Sequence, residues 1–147
     1  MKRTIYNEEK AKMNPQFNEK VVKMEVYHKD YNIDKKENLN EIPEEPAVFG
    51  IFAIIHEVPV HCRYVAATDN LRKSVRDVFE KPATESLKKF MQSPWIQMLC
   101  YEPMPGSTEE QRKQKEAEWT REYEPKINEE GEYPEYKYVW PYDEVDE

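Results

Sequence analysis

Residues 47–55 read AVFGIFAII, an uncharged run in which both alternate sets of positions are apolar. Such a strand is typical of the interior of a sheet rather than its edge. Residues 56–59, HEVP, form a short reversal, and residues 60–66, VHCRYVA, alternate like a half-buried antiparallel partner. The alternation places Val60, Cys62, Tyr64 and Ala66 on one side of this second strand. The sequence therefore predicts an antiparallel strand pair at the centre of the fold.

Two helices, a third strand and a last helix are predicted after this pair. Thr68 or Asp69 is placed to cap the first helix, and residues 84–91 form the second. Residues 95–101 are the third strand, and Ser107 or Thr108 begins a long charged helix that ends at Pro125. This order predicts an α+β domain with a small three-stranded antiparallel sheet flanked by helices.

The chain divides into three parts by composition. Residues 47–128 form the predicted domain, and residues 1–46 are an N-terminal extension in which residues 20–28, KVVKMEVYH, fit an edge strand. Residues 129–147 are a tail with five aromatic residues, one lysine and eight acids, so the tail carries −7 of the net charge of −8. Aromatic residues are rare in purely disordered segments. The tail is therefore predicted to bind a protein partner or to fold back over its own domain.

The composition also excludes several kinds of site. Three glycines against eleven prolines argue against a Gly-rich nucleotide-binding loop. No apolar run has the length of a membrane span, and the first residues lack the apolar core of a signal peptide, so we expect a soluble, cytoplasmic protein. Cys62 and Cys100 are predicted as buried thiols, with a disulfide as the alternative. His28, His56 and His61 lack metal-site spacing and are predicted at the surface or in turns.

Two triplets and one helix ending carry a resemblance to a known family. Gly50-Ile51-Phe52 on the first strand and Tyr64-Val65-Ala66 on the second resemble the strand motifs of the GIY-YIG endonuclease domain. The segment from Glu116 through Pro125 to Asn128 resembles the end of that family's last helix. The resemblance covers residues 47–128. Its family includes the excinuclease C subunit, homing endonucleases, some restriction enzymes and structure-selective resolvases.

The resemblance implies a nuclease site with a single divalent metal. In the family, tyrosines of the two strand motifs surround the attacking water, an arginine on the first helix contacts the phosphate, and one glutamate holds Mg²⁺ or Mn²⁺. In this chain Tyr64 matches the second tyrosine and Glu116 matches the metal ligand. Gly50 and Asn128 match positions with a structural role.

Other catalytic positions depart from the family pattern. Phe52 replaces the first tyrosine, so the hydroxyl is lost, and Ala66 replaces a glycine. Ser74, ten residues after Tyr64, stands at the position of the phosphate-binding arginine. Val78 is apolar where some members carry a polar side chain. These substitutions remove the cation that would stabilise the charge developing in the transition state.

Arg63, Arg72 and Arg76 are the candidates for a replacement phosphate contact. Arg72 and Arg76 each lie two residues from Ser74, which is about 160–200° around a helix axis, so neither replaces it unless the alignment slips. The sequence supports a catalytically degenerate GIY-YIG-like domain with a protein-interaction or structural role. The alternative is a Mg²⁺- or Mn²⁺-dependent endonuclease acting on DNA through an altered site. Nucleic-acid binding without cleavage is disfavoured by the neutral domain and the acidic tail.

Overall fold

A computed structural model describes residues 17–56, 58–93 and 96–125, and these form an α+β arrangement of four strands and three helices. A short 3₁₀ turn, Leu39–Glu41, precedes the second strand. The elements in chain order are β1 (Val22–Val26), β2 (Ala47–Ile55), β3 (Val58–Thr68), α1 (Leu71–Glu80), α2 (Glu85–Met91), β4 (Gln97–Pro103) and α3 (Glu109–Tyr123). The α+β class predicted from the element order is confirmed.

The sheet is larger than the predicted three strands. The four described strands are arranged β1-β4-β2-β3, and every neighbouring pair is antiparallel. β1 comes from the segment before residue 47 and pairs along β4, from Val22 opposite Tyr101 to Val26 opposite Gln97. A three-stranded sheet would leave that side of β4 unpaired, and β1 satisfies its backbone groups. β2 lies between β4 and β3, which accounts for its apolar residues on both sides.

A bulge in β3 interrupts the regular alternation of its side chains. Tyr64 pairs with Ile51 and Cys62 pairs with Phe52, so Arg63 is an extra residue opposite that step of β2. An extra residue in one strand rotates the side chains on either side of it relative to each other. Cys62 and Tyr64 therefore lie on opposite faces of the sheet. The prediction that they share one side was wrong.

Each face of the sheet carries its own buried cluster. Phe49, Ile51 and Leu99 pack with α1 and α2 on one face, and Tyr64 and Ala66 border that cluster. Phe52, Cys62, Met98 and Cys100 form a smaller cluster on the other face. Tyr123 and Phe17 pack against this second cluster, so α3 covers it. The result is a sheet between two helical layers.

Side-chain caps fix where the helices begin. Asn70 caps α1 by accepting from Lys73 N, so the cap lies one or two residues later than predicted. The capping box of α3 joins Thr108 to Gln111 in both directions. The last residue of α3 is Tyr123, and Glu124 adopts a left-handed conformation at φ 46° before Pro125. Proline cannot continue a helix, which explains the end point.

Candidate functional site

Three of the positions singled out by the family resemblance lie on or against the second half of β3: Tyr64 on the strand, and Ser74 and Glu116 bonded to its last two residues. Tyr64 lies half-buried on the α1 face, with its ring centroid 6.0 Å from that of Phe49. Burial, and second the negative charge of Glu116, raise the pKa of the Tyr64 hydroxyl. The phenol therefore stays protonated at neutral pH. The raised pKa disfavours the phenolate, so this group is better suited to donating a hydrogen bond than to taking a proton from water.

Glu116 reaches this place from α3, on the opposite side of the sheet. Its Oε1 accepts a hydrogen bond of 2.9 Å from the backbone N–H of Ala67. The side chain is half-buried, while Trp119, three residues on, is only 5% exposed. Because residues three apart lie on one side of a helix, the packing of Trp119 aims Glu116 at the sheet rather than into solvent. The carboxylate thus contacts β3 at Ala67, and its charge acts on the Tyr64 hydroxyl.

Ser74 approaches the same end of β3 from α1. Its hydroxyl donates to Thr68 Oγ1 at 2.6 Å, and Thr68 Oγ1 also accepts from Asn70 N at 3.0 Å. These bonds tie the first turn of α1 to the last residue of β3. The position assigned to an arginine in the family is therefore occupied here by a short hydroxyl that stabilises the strand-to-helix connection.

Phe52 does not join this group. It is fully buried on the α3 face, where Phe17 and Tyr123 meet its ring edge-on at centroid distances of 5.5 and 5.7 Å. The bulge at Arg63 is the physical reason, because it puts the partner of Phe52, Cys62, on the face opposite Tyr64. The residues at the two tyrosine positions therefore cannot surround one water molecule in this arrangement.

Gly50 serves the packing of Phe52. A Cβ atom at residue 50 would lie 2.9 Å from Phe52 Cε1 and 3.2 Å from the backbone oxygen of Tyr64. Both distances are shorter than ordinary van der Waals contact, so a larger residue would displace the ring or the strand. Ala66 is half-buried beside the α1 cluster, and Val78 is buried within it. Asn128 lies outside the described residues.

Arg72 and Arg76 are occupied by contacts within the fold. Arg72 donates to the backbone oxygens of Ile42 at 2.7 Å and Asn40 at 2.9 Å, which fixes the 3₁₀ turn against α1. Arg76 lies 3.1 Å from Glu37 and 3.5 Å from Glu80. Both guanidinium groups therefore hold the segment before β2 in place. Neither is directed to the end of β3 by these bonds.

Arg63, the bulged residue, is almost fully buried at 2% exposure. Its guanidinium carbon lies 4.7 Å from the centroid of the Phe90 ring on α2, a cation–π contact. A phosphate group in solution cannot reach a side chain this deep without opening the packing around α2. Of the three candidate arginines, Arg63 is the one next to Tyr64 in sequence, but its side chain packs on Phe90 in the interior.

A second polar group links the loop after β1 to α1, and the sequence reasoning missed it. His28, predicted at the surface or in a turn, is fully buried, and its Nε2 lies 2.8 Å from Glu80. Its Nδ1 accepts from Asp30 N, so Nε2 carries the proton and donates to Glu80. This hydrogen bond is the leading cause of the lowered pKa of Glu80. The neighbours Tyr27 and Lys29 are polar or charged, so the sequence around His28 does not indicate that it is buried.

The other predicted thiol and histidine positions have mixed outcomes. Cys62 and Cys100 are both free and buried, as predicted, and burial raises the pKa of the Cys62 thiol to about 12. His56 lies exposed in the turn between β2 and β3, at φ 53°, whereas His61 is buried, so its predicted surface position was wrong. Within the described ranges, no three His, Cys, Asp or Glu side chains come together as a metal site.

Comparison with protein-family models, with curated proteins and with solved structures gives no match for this chain. In the part of the chain that the structure describes, no helix is long and apolar enough to cross a membrane. The resemblance to the GIY-YIG domain therefore rests on the sequence motifs alone.

Proposed function

We propose that this chain is a catalytically degenerate GIY-YIG-like domain that acts as a protein-interaction or structural component. One observation carries the proposal: the carboxylate at the metal-ligand position, Glu116, is bonded to the backbone of Ala67. This hydrogen bond gives Glu116 a structural role that requires no metal ion. The hydroxyl of Ser74 is likewise engaged, with Thr68. The residues at these positions thus contribute to the fold.

The chemistry of phosphodiester cleavage supports the same conclusion. Hydrolysis needs an activated water and a positive charge beside the phosphate oxygens. The raised pKa of Tyr64 disfavours its use as the base that activates water. Arg72 and Arg76 have their guanidinium groups committed to backbone oxygens and carboxylates. Removal of one preorganised charge of this kind costs about 10²–10³ in rate, and here two catalytic groups are missing.

A nicking assay tests this proposal directly. The full chain is incubated with plasmid, branched and single-stranded DNA, first with Mg²⁺ and then with Mn²⁺. We expect no cleavage above the rate of a Glu116→Ala variant. The matched control is Glu122→Ala, which removes an exposed acid from the same helix. Turnover that Glu116→Ala abolishes and Glu122→Ala preserves would overturn the degenerate assignment.

The alternative function is a weak Mg²⁺- or Mn²⁺-dependent endonuclease. It is favoured by the electrostatic effect of Glu116 on Tyr64, whose pKa is raised first by burial and then by that charge. Such an enzyme would need to expose Arg63 if that residue is to contact the phosphate. Arg63→Lys distinguishes this alternative, because lysine keeps the charge but loses the planar fork that binds phosphate in a bidentate manner. Loss of metal-dependent cleavage in this variant, with folding retained, would favour the endonuclease.

The proposed partner contact is the tail, residues 129–147, which lies outside the described residues. Its eight acids and five aromatic residues suit a basic and apolar protein surface better than a phosphate backbone. A chain ending at residue 128 tests this assignment against the full chain. We expect loss of partner binding with an unchanged thermal midpoint. Equal binding by both chains would remove the tail from the proposal.

A further inference from the structure

An open groove lies between the loop after β4 and the exposed side of α3, away from the Glu116 contact. Its volume is about 520 Å³. Glu102 and Ser107 line it from the strand and loop, and Gln114, Lys115 and Glu118 line it from the helix. Glu116 and Lys115 are adjacent on α3 and point about 100° apart, and neither Glu116 nor Ala67 lines the groove.

Glu102 is an unusual residue for such a groove because it is only 7% exposed. Its Oε2 lies 3.8 Å from Lys115 Nζ, which is an ion pair beyond hydrogen-bond length. Its buried Oε1 has no hydrogen-bond partner among the residues that the structure describes. A buried carboxylate oxygen without a donor is costly, so an additional donor would stabilise it.

The charges around the groove are not balanced. Lys115 Nζ lies 3.8 Å from Glu102 and 3.6 Å from Glu118, so one ammonium group serves two carboxylates. Among the described residues, Lys115 is the cation paired with both carboxylates, which leaves an excess of one negative charge beside the groove. Opposite charges attract more strongly where water is excluded. The groove is therefore suited to one further positive charge that carries N–H donors.

We propose that this groove binds an ammonium or guanidinium group through Glu102 and Glu118. The group comes from a small organic amine or from a basic side chain of a partner protein. A guanidinium is the better fit, because its several N–H donors can serve both carboxylates at once. This site does not depend on the proposed loss of nuclease activity, since none of its residues is a family position.

Titration with two probes tests the proposal and separates the two sources. Methylguanidinium represents a free small-molecule cation, and a blocked arginine-containing tripeptide represents the side chain of a partner protein. Binding is followed by calorimetry and by backbone amide shifts of residues 102–107 and 114–118. We expect saturable binding of at least one probe. Tighter binding of the peptide by about tenfold or more indicates a protein source, and comparable binding indicates a small amine.

Three variants make the expected result specific. Glu102→Gln weakens binding by about tenfold, because it removes a charge-assisted hydrogen bond. Lys115→Met tightens binding severalfold, since the competing internal cation is gone. Glu122→Gln, outside the groove, leaves binding unchanged. Tightening by Lys115→Met is the informative sign, because a purely structural Glu102–Lys115 pair would give destabilisation without any gain in affinity.

Several outcomes would overturn the proposal. The first is that neither probe shifts the amide signals of residues 102–107 at millimolar concentration. Equal binding by the wild-type chain and the Glu102→Gln variant is another. Binding of Mg²⁺ in place of both probes would make the groove a metal site instead. If Glu102→Gln does not fold, the sign of the Lys115→Met effect decides: weaker or unchanged binding refutes competition for the carboxylates.

Discussion

At the scale of single residues, a side chain whose position resembles a family motif can be committed to the fold. Glu116 retains a carboxylate, but its Oε1 is engaged by the Ala67 amide at 2.9 Å. Phe52 retains an aromatic ring, but the ring is buried on the face opposite Tyr64. Identity at an aligned position therefore says less about activity than the face of the sheet on which the side chain lies.

Phe52→Tyr tests this argument at the position of the first motif. The new hydroxyl would enter the cluster of Cys62, Met98 and Cys100, where it displaces well-packed apolar contacts. We expect the free energy of unfolding to fall by about 1–3 kcal/mol, and no DNA nicking to appear. Urea unfolding gives the first quantity, with Phe52→Leu as the control for altered packing. Metal-dependent nicking by this variant would show that residue 52 reaches the site.

Gly50→Ala tests the packing of the same ring. The added methyl would meet Phe52 Cε1 at 2.9 Å, so we expect a loss of about 1–3 kcal/mol in the free energy of unfolding. In the double variant Gly50→Ala/Phe52→Leu, the smaller leucine side chain replaces the ring and relieves the clash. The double variant should therefore be more stable than the sum of the single changes implies. Strict additivity in denaturant unfolding would place the strain elsewhere, for example at the Tyr64 oxygen.

At the scale of elements, Arg72 connects α1 to the segment that precedes β2. Its hydrogen bonds to the backbone carbonyls of Asn40 and Ile42 hold that segment against α1. We expect Arg72→Met to lower the free energy of unfolding by about 1–3 kcal/mol. Lys73→Met, one residue away and exposed, should change it by less than about 0.5 kcal/mol. If the two substitutions lowered the free energy of unfolding equally, the hydrogen bonds of Arg72 would not be important for stability.

At the scale of the whole molecule, acid should weaken the link between the loop after β1 and α1. Hydrogen bonds from His28 and then contacts with Arg76 lower the pKa of Glu80. Glu37 has a lowered pKa too, because hydrogen bonds from Lys29 N and Arg76 outweigh its burial. A lowered folded-state pKa stabilises the protein above the ordinary glutamate pKa, and this contribution is lost as the pH falls through the folded value.

We therefore expect the free energy of unfolding to decrease as the pH falls below about 4.5, the region of the ordinary glutamate pKa. Urea unfolding measured at intervals between pH 6 and pH 3 gives the profile. Glu80→Gln should make it less steep, because one of the two titrating carboxyls is gone and Glu37 remains. Glu110→Gln, an exposed acid on α3, should leave the slope unchanged. A profile that Glu80→Gln does not alter would mean that the link is insensitive to charge.

The order of the helices and strands could be predicted because each boundary has a local chemical cause. Pro125 and the Thr108 capping box are such causes. The bulge at Arg63 could not be predicted, since β2 is apolar on both sides and fits either register. The pairing of β1 with β4 joins residues more than seventy positions apart, which alternation within one strand does not reveal. The bulge matters most, because it decides which side chains meet at the site.

The bond between Glu116 and Ala67 has a consequence for how copies of this protein meet. β3 ends the order of the described strands, and strands at the side of a sheet readily recruit strands from other molecules. A carboxylate on the Ala67 amide blocks that recruitment at one point. Glu116→Ala should therefore self-associate more readily than Glu116→Gln, which keeps an acceptor oxygen. Light scattering over a concentration series would detect the difference. Stronger self-association of Glu116→Ala would indicate that Glu116 helps to keep the protein soluble.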